Sequence, residues 1–452
     1  MKTKLLPVFA LLLLALGLSS GTSSNVYTED KGFGAEDYQE RCQKLLDRAS
    51  DGIILVGNAG SPDLAYLSGV RDREAKLILI PPAVARKAAP AAPYETTLFL
   101  QAKSPRWGVW EDPELSPGEE AAKATGIART ADIKEFYSTL VKLGPIVDSI
   151  YVCQRSEGGA ASDLDQDVVE TVKRVLPGAP IKNLSPILED LRWSKSPREV
   201  EIMRKACRIT AEGFREAART TKPGLYEYEL EGLISYIFRK NGSNGPAFQI
   251  IGSGPNSCVL HHMSNDRRME SGELVVLDIG ADYHAFSTDL TRTLPVSGKF
   301  TPEQRKIYGL VLEAQKKALA VVKPGATLAD VHRAAFEVID RAGYGKYFIH
   351  GTSHSLNGGS GFKAGEPPPP AGVRTEEQRK SFYLGATNPL RPGCMFTIEP
   401  GIYIPEKNLG VRIEDDILVT ETGYEVLTKD APQEIADIEK LMAAKPLFVT
   451  GK

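Results

Sequence analysis

No run of lysine or arginine occurs anywhere in the 452 residues, and the formal net charge is −3. A nucleic-acid groove or an anionic-lipid surface draws on a basic patch, so neither partner is expected. Cysteine is scarce: Cys42, Cys153, Cys207, Cys258 and Cys394 are odd in number and far apart. They form no disulfide framework, and no pair has zinc-finger spacing. Histidine is missing from the whole first half, and all six histidines fall at 261, 262, 284, 332, 350 and 354. At 42% hydrophobic, 25% charged and 8% aromatic, the composition excludes a disordered chain, a collagen-like fibre and a polytopic membrane protein. The length points to two domains.

The first residues read as a sorting label. Lys2 and Lys4 precede an apolar run, Leu5–Leu18, followed by Ser19, Ser20 and Gly21. A basic end, a short apolar core and small residues are the parts of a secretory signal peptide, and the run is shorter than the roughly 20 residues of a spanning helix. Ser19 and Gly21 suit the −3 and −1 positions, with cleavage before Thr22, and no cysteine follows for lipid attachment. An uncleaved anchor is the other reading. Removal of residues 1–21 takes away Lys2 and Lys4, moves the charge to −5, and places the mature protein in the periplasm or outside the cell.

Residues 26–190 alternate short apolar runs with helical stretches. Gly52–Gly57, Lys76–Ile80 and Thr97–Leu100 read as buried strands, and Ala35–Arg48 and Asp132–Leu143 as helices. No cluster for chemistry appears there, so this half is expected to be an α/β scaffold or oligomerisation domain. Residues 193–435 have a different texture. Ser196-Pro197-Arg198-Glu199 and Thr301-Pro302-Glu303-Gln304 each place a capping hydroxyl, a first-turn proline and a Glu or Gln three residues on. They predict helices running to about Arg219 and to the stop at Lys323-Pro324-Gly325. Longer strands are expected at Glu273–Ile279, Cys394–Ile398 and Arg412–Thr420. Helices and strands in separate blocks make this half α+β.

Four strand-like segments of this half carry an acid. Asp278 sits within Leu274–Gly280, and eleven residues later Asp289 sits in a second β-prone stretch, with Tyr283-His284-Ala285 as a hairpin turn between them. Glu399 and Glu414 lie likewise in apolar runs. A charge in such a strand is costly to bury alone, and two like charges side by side need a shared cation or a shared proton. His354 lies in a Gly/Ser-rich turn. One imidazole with four carboxylates suits two hard or borderline divalent ions, with manganese a good candidate and cobalt or zinc the alternatives. Taken singly, a strand acid is more often a salt-bridge partner and a loop histidine a polar surface group; the constellation carries the metal reading. Asp415 and Asp416 are expected to face solvent or cap the strand, and His284 and His332 to be ordinary turn and helix residues. Cys258 with His261 and His262 resembles a fragment of a zinc site that no second pair completes.

Leu277-Asp278-Ile279-Gly280, Thr288-Asp289-Leu290-Thr291-Arg292-Thr293, His350-Gly351-Thr352-Ser353-His354, Ile398-Glu399-Pro400-Gly401-Ile402-Tyr403 and Arg412-Ile413-Glu414-Asp415-Asp416 resemble, in order, the motifs of the pita-bread metallopeptidases. That is the family of methionine aminopeptidase, aminopeptidase P and prolidase. Pro62–Gly69 onward resembles the N-terminal domain of creatinase and prolidase, which points to the Xaa-Pro branch. The resemblance implies a C-terminal pita-bread domain behind a creatinase/prolidase-type α/β domain. It implies that Asp278 binds one metal, Asp289 and Glu414 bridge two, and His354 and Glu399 bind the other. It further implies that a metal-bridged hydroxide is the nucleophile, that Glu399 acts as base, and that His261, His350 and Arg412 serve the substrate side. For Arg412 a plain surface ion pair stands as the equal alternative. The implied substrate is a peptide with proline second, the implied activity Xaa-Pro aminopeptidase or dipeptidase, and the implied assembly a homodimer.

The chain departs from the family pattern at one place. Seven residues after His354, where the family carries a further histidine, stands Gly361. Lys363 and the tetraproline Pro367–Pro370 follow, in a spacing of forty-five residues from His354 to Glu399. The lost imidazole is worth a factor of roughly 10² in rate. A metal- and peptide-binding homologue with weak catalysis is therefore the rival reading, and a creatinase-like hydrolase of a small non-peptide is a third.

Overall fold

A computed structural model describes residues 32–57, 62–72, 74–87, 95–104, 107–110, 114–153, 163–358 and 386–447. Residues 1–21, Gly361, Lys363 and Pro367–Pro370 lie outside the described residues.

The first half holds a six-stranded mixed sheet. Its strands are β1 (Ile53–Gly57), β2 (Lys76–Leu79), β3 (Thr97–Leu100), β4 (Arg129–Asp132), β5 (Ile150–Val152) and β6 (Ile181–Asn183), in the order β4-β3-β2-β1-β5-β6. β2 runs antiparallel to both neighbours, and the remaining pairs are parallel. Alternation along the strands feeds two cores. Ile54, Val56, Leu77 and Leu79 pack with Leu45 on one face, while Ile53, Leu55 and Ile78 pack with Phe136 and Leu140 on the other. Continuous apolar runs of this kind belong to a sheet covered on both faces. The helix Ala35–Arg48 forms as the sequence predicts, whereas the stretch from Asp132 divides: β4 ends there, a 3-10 turn covers Ile133–Glu135, and the helix is Phe136–Leu143.

The second half opens with the helix Pro197–Thr220. Its capping box closes as read, with Glu199 N donating to Ser196 Oγ and Ser196 N donating to Glu199 Oε2 at 2.7 Å. Glu199 has a second task. Its Oε1 accepts from Arg41 Nη2 at 2.9 Å, both groups being buried. The Arg41 guanidinium also lies over the rings of Phe33 (4.0 Å) and Tyr66 (4.3 Å) and donates to the Tyr66 carbonyl. This one pair fastens the first helix to the second half.

β7 (Gly245–Ser253), β8 (Leu274–Tyr283), β9 (Phe286–Ser287) and β10 (Leu290–Pro295) form an antiparallel sheet in the order β10-β8-β7, with β9 on β8. His284 and Ala285 have φ of 52° and 66°, so a two-residue turn joins β8 to β9, as the sequence suggests. The capped helix Pro302–Ala320 and the helix Leu328–Arg341 follow, the first stopping just before Lys323. Next come β11 (Met395–Ile398), β12 (Gly401–Ile404), β13 (Leu409–Arg412), β14 (Asp415–Val419) and β15 (Tyr424–Val426). One core joins both strand groups to their helices.

Two expectations fail here, for one reason. Arg412–Thr420 is not one strand. β13 pairs with β12 and β14 with β11, and the chain breaks at Ile413 and Glu414 to change sheets. Nor do Asp415 and Asp416 face solvent: they are 1% and 0% exposed. Asp415 Oδ1 accepts from Arg292 Nη2 at 2.7 Å and from Thr428 Oγ1, and its Oδ2 accepts from Gln315 Nε2. Arg292 also donates to the carbonyls of Thr291, Glu414, Ala431 and Pro432. The acid that looked like a strand cap is the anchor of the crossing.

Removing one member of a buried ion pair leaves the other uncompensated, at a cost of about 3–5 kcal/mol. Asp415→Ala is expected to lose that much in urea denaturation followed by tryptophan fluorescence. A loss below about 1 kcal/mol, typical of exposed pairs, would show that water reaches the crossing.

Candidate metal centre

Strand register brings the two aspartates together. Asp278 pairs with Thr291 across β8 and β10, and Asp289 lies two residues before Thr291. Residues two apart share a face, so Asp278 and Asp289 are diagonal neighbours. Gly280 makes the approach possible: a Cβ there would stand 2.1 Å from the Thr288 carbonyl oxygen.

Glu414 joins them through the break between β13 and β14. Its N donates to the Thr291 carbonyl at 3.0 Å, and Thr291 Oγ1 donates to its Oε2 at 2.6 Å. Glu399, just past β11, donates its N to the Thr352 carbonyl, and His354 N donates to Thr397 Oγ1. These bonds dock the His350–His354 turn onto β11. His354 Nδ1 donates to the Ser355 carbonyl, which leaves Nε2 facing the acids: 3.2 Å from Asp289 Oδ2, 3.6 Å from Glu399 Oε1 and 4.0 Å from Glu414 Oε1. About half of the His354 side chain is exposed (52%), so the site opens on that side.

Behind the acids runs a chain of polar groups. Arg412 Nη2 donates to Asp278 Oδ2, Nε to Thr291 Oγ1 and Nη1 to Tyr403 Oη. His350 Nδ1 faces the Gly351 carbonyl at 2.7 Å, which can only accept, so Nδ1 carries the hydrogen. Nε2 then accepts from Tyr403 Oη at 2.8 Å. The surface-pair alternative for Arg412 is thereby excluded, since its side chain is 5% exposed. Burial, with Arg412, His332 and His261 adding their charges, lowers the His350 pKa to about 3 and keeps it neutral.

The crowding has electrostatic consequences. Burial raises the Asp278 pKa to about 7; Arg412 opposes the rise, and Asp289 and Glu399 add to it. Burial, then neighbouring acids, raises Glu414 well above the carboxylate range, and burial raises Glu399. For His354 burial opposes the charge, but the bond to Asp289 and the charges of Glu399 and Asp289 win and raise it to about 10. Asp278 Oδ1 and Glu414 Oε1 are buried and accept no hydrogen bond. Asp289, His354 and Glu414 offer ligand atoms within 4.8 Å of one another. Orphaned carboxylate oxygens around an imidazole whose other nitrogen is tied to a carbonyl are what a divalent cation fits.

Of the residues named from sequence, Asp278, Asp289, His350, His354, Glu399, Glu414 and Arg412 converge. His261 is exposed on the turn that follows β7 and its 3-10 turn. The fragment Cys258-His261-His262 does not gather: His262 bonds to Glu227 instead. Sequence reasoning missed Thr291, Tyr403 and Asp416, whose Oδ2 accepts from Asp289 N at 3.1 Å. The available signal was position: each lies within a motif that also contains a named residue.

Residues 201–421 match the Peptidase_M24 model, described as metallopeptidase family M24, and residues 59–151 match the aminopeptidase P N-terminal domain. The Xaa-Pro aminopeptidase of Escherichia coli is 31% identical over 90% of this chain and 98% of its own. The chain belongs to metallopeptidase family M24. The Xaa-Pro dipeptidase of Pyrococcus horikoshii is 33% identical over 85% of this chain and 95% of its own length. The structure of Escherichia coli aminopeptidase P with the inhibitor Pro-Leu superposes with a TM-score of 0.75 at 28% identity, covering 91% of this chain and 98% of that one. This M24 chain therefore has the aminopeptidase P fold, is a metallopeptidase, and by its family works with divalent metal ions.

An acid whose pKa rises on folding stabilises the fold in its protonated form. That contribution is complete below the ordinary value of 3.8 and is lost as pH rises through about 7. Metal-stripped protein is thus expected to melt lower at pH 8 than at pH 5, with Asp278→Asn flattening the difference. Melting points that do not change with pH in the parent protein would refute the crowding.

Proposed function

We propose that this chain is an exported Xaa-Pro aminopeptidase that removes the N-terminal residue of peptides with proline in second position. The observation that carries this reading is the set Asp289, Glu399 and Glu414 within 4.0 Å of His354 Nε2, with Asp278 beside it across the strands and with buried oxygens of Asp278 and Glu414 unsatisfied. Asp278 would hold one cation, Asp289 and Glu414 would bridge, and His354 and Glu399 would hold a second. When bound, two divalent cations, for which Mn2+ suits the oxygen-rich donors, supply an activated water and polarise the scissile carbonyl. Glu399 takes a proton and returns it to the leaving nitrogen, with its Oε1 steadied by Thr397 Oγ1 at 3.3 Å. Arg412, fixed by Thr291 and Tyr403, orients Asp278. His261, exposed at the rim, contacts the peptide. An Xaa-Pro bond has no N–H and a fixed φ, so a cleft that grips the amino terminus rather than an extended strand suits it. The leader-like residues 1–21 support export.

Mature protein loaded with Mn2+ is expected to release one residue from Xaa-Pro-Yaa peptides and to leave proline-free controls intact, as read by mass spectrometry. Cleavage confined to Xaa-Pro dipeptides would make it a prolidase. Tight metal binding without turnover would favour the weak-catalysis reading, which Gly361 in the histidine position supports. Gly361→His separates the two: a gain in kcat of about tenfold or more supports weak native catalysis, and no gain refutes it.

A further inference from the structure

The segment that carries His261 has little regular structure. β7 ends at Ser253, a 3-10 turn covers Gly254–Cys258, and the chain then runs irregularly to β8 at Leu274. Its side chains cannot hold a defined position unless something fastens them.

Glu227, the first residue of the helix Glu227–Lys240, lies beneath this segment and is 0% exposed. Its Oε1 accepts from Ser253 N and Ser253 Oγ, each at 2.7 Å. Its Oε2 accepts from Arg267 N at 3.0 Å and lies 3.0 Å from His262 Nε2, while Asn256 Nδ2 reaches both oxygens. A carboxylate only accepts, so His262 Nε2 carries its hydrogen. One buried acid thus gathers residues 253, 256, 262 and 267. Asn265 adds a second stitch, accepting from Ile251 N and donating to the Gln249 carbonyl on β7. Asp266 approaches closely enough for Glu227, His262 and Asp266 to converge on an ion. Donors from four residues already account for both Glu227 oxygens, so hydrogen bonding explains the cluster.

The adjacent histidines therefore have opposite surroundings. His262 is turned into the clamp, and His261 is left exposed. We propose that Glu227, acting through His262, is a positioning residue that sets His261 against the bound peptide. The proposal rests on the Xaa-Pro peptidase reading and on His261 as its substrate-side histidine.

The test is a double-mutant cycle on the Mn2+-loaded full-length enzyme with an Xaa-Pro-Yaa peptide. His261→Ala is expected to lower kcat/KM by about tenfold or more, and Glu227→Gln and His262→Asn by about fivefold each, mainly through KM. Mn2+ affinity by calorimetry should not change. The combined variant Glu227→Gln/His261→Ala should be no worse than His261→Ala alone, within about twofold, because both act on one contact. Losses that multiply, or a weakened Mn2+ affinity, would overturn the proposal and make Glu227 a general structural residue. Should Glu227→Gln fail to fold, His262→Asn/His261→Ala carries the same comparison. Full activity in His261→Ala would overturn the assignment of His261, while leaving cleavage by the parent enzyme to decide the peptidase reading separately.

Discussion

Thr291 stands where the two groups of strands meet, and the site is built outward from it. Its backbone pairs with Asp278 on one side and with Glu414 on the other. Its hydroxyl donates to Glu414 Oε2 and accepts from Arg412 Nε. A fully buried threonine thereby fixes two acids and the arginine that answers one of them. Repulsion would drive such acids apart if they sat on loops. Here strand pairing holds Asp278, backbone bonds to Thr291 and Thr352 hold Glu414 and Glu399, Asp416 holds the Asp289 backbone, and Arg292 fastens the same crossing from behind through Asp415.

The result is a pocket whose charge is arranged before any cation enters. Asp278 is paired with Arg412, and the His354 ring is oriented by the Ser355 carbonyl. Preorganisation of this kind lowers the reorganisation needed on binding, since the protein bears the strain of gathered charge during folding. The neutral His350, with both nitrogens committed to Gly351 and Tyr403, serves as a fixed polar wall in this state.

Much of this was legible in the chain. Acids embedded in apolar strands are rare enough to draw notice, and capping boxes at Ser196 and Thr301 gave the helix starts. The break at Ile413 and Glu414 was not legible, because Arg412–Thr420 reads as one strand-like stretch and no glycine or proline within it marks a change of sheet. For the same reason Asp415 and Asp416 were expected outside: their partners Arg292, Gln315 and Cys207 lie a hundred or more residues away. Glu227 was invisible for a related reason, since a glutamate in the first turn of a helix ordinarily faces water.

The buried pair Arg41–Glu199 carries a consequence for how the cleft works. Swinging the first half away from the second would carry the Arg41 guanidinium, with the rings of Phe33 and Tyr66, away from Glu199 and leave a buried carboxylate alone at a helix start. Glu199 would then also have to keep its cap on Ser196 without its partner. Wide opening at this joint is thus coupled to fraying of the helix that begins the catalytic half. Separation of the two halves at this joint is accordingly set against the stability of that helix start.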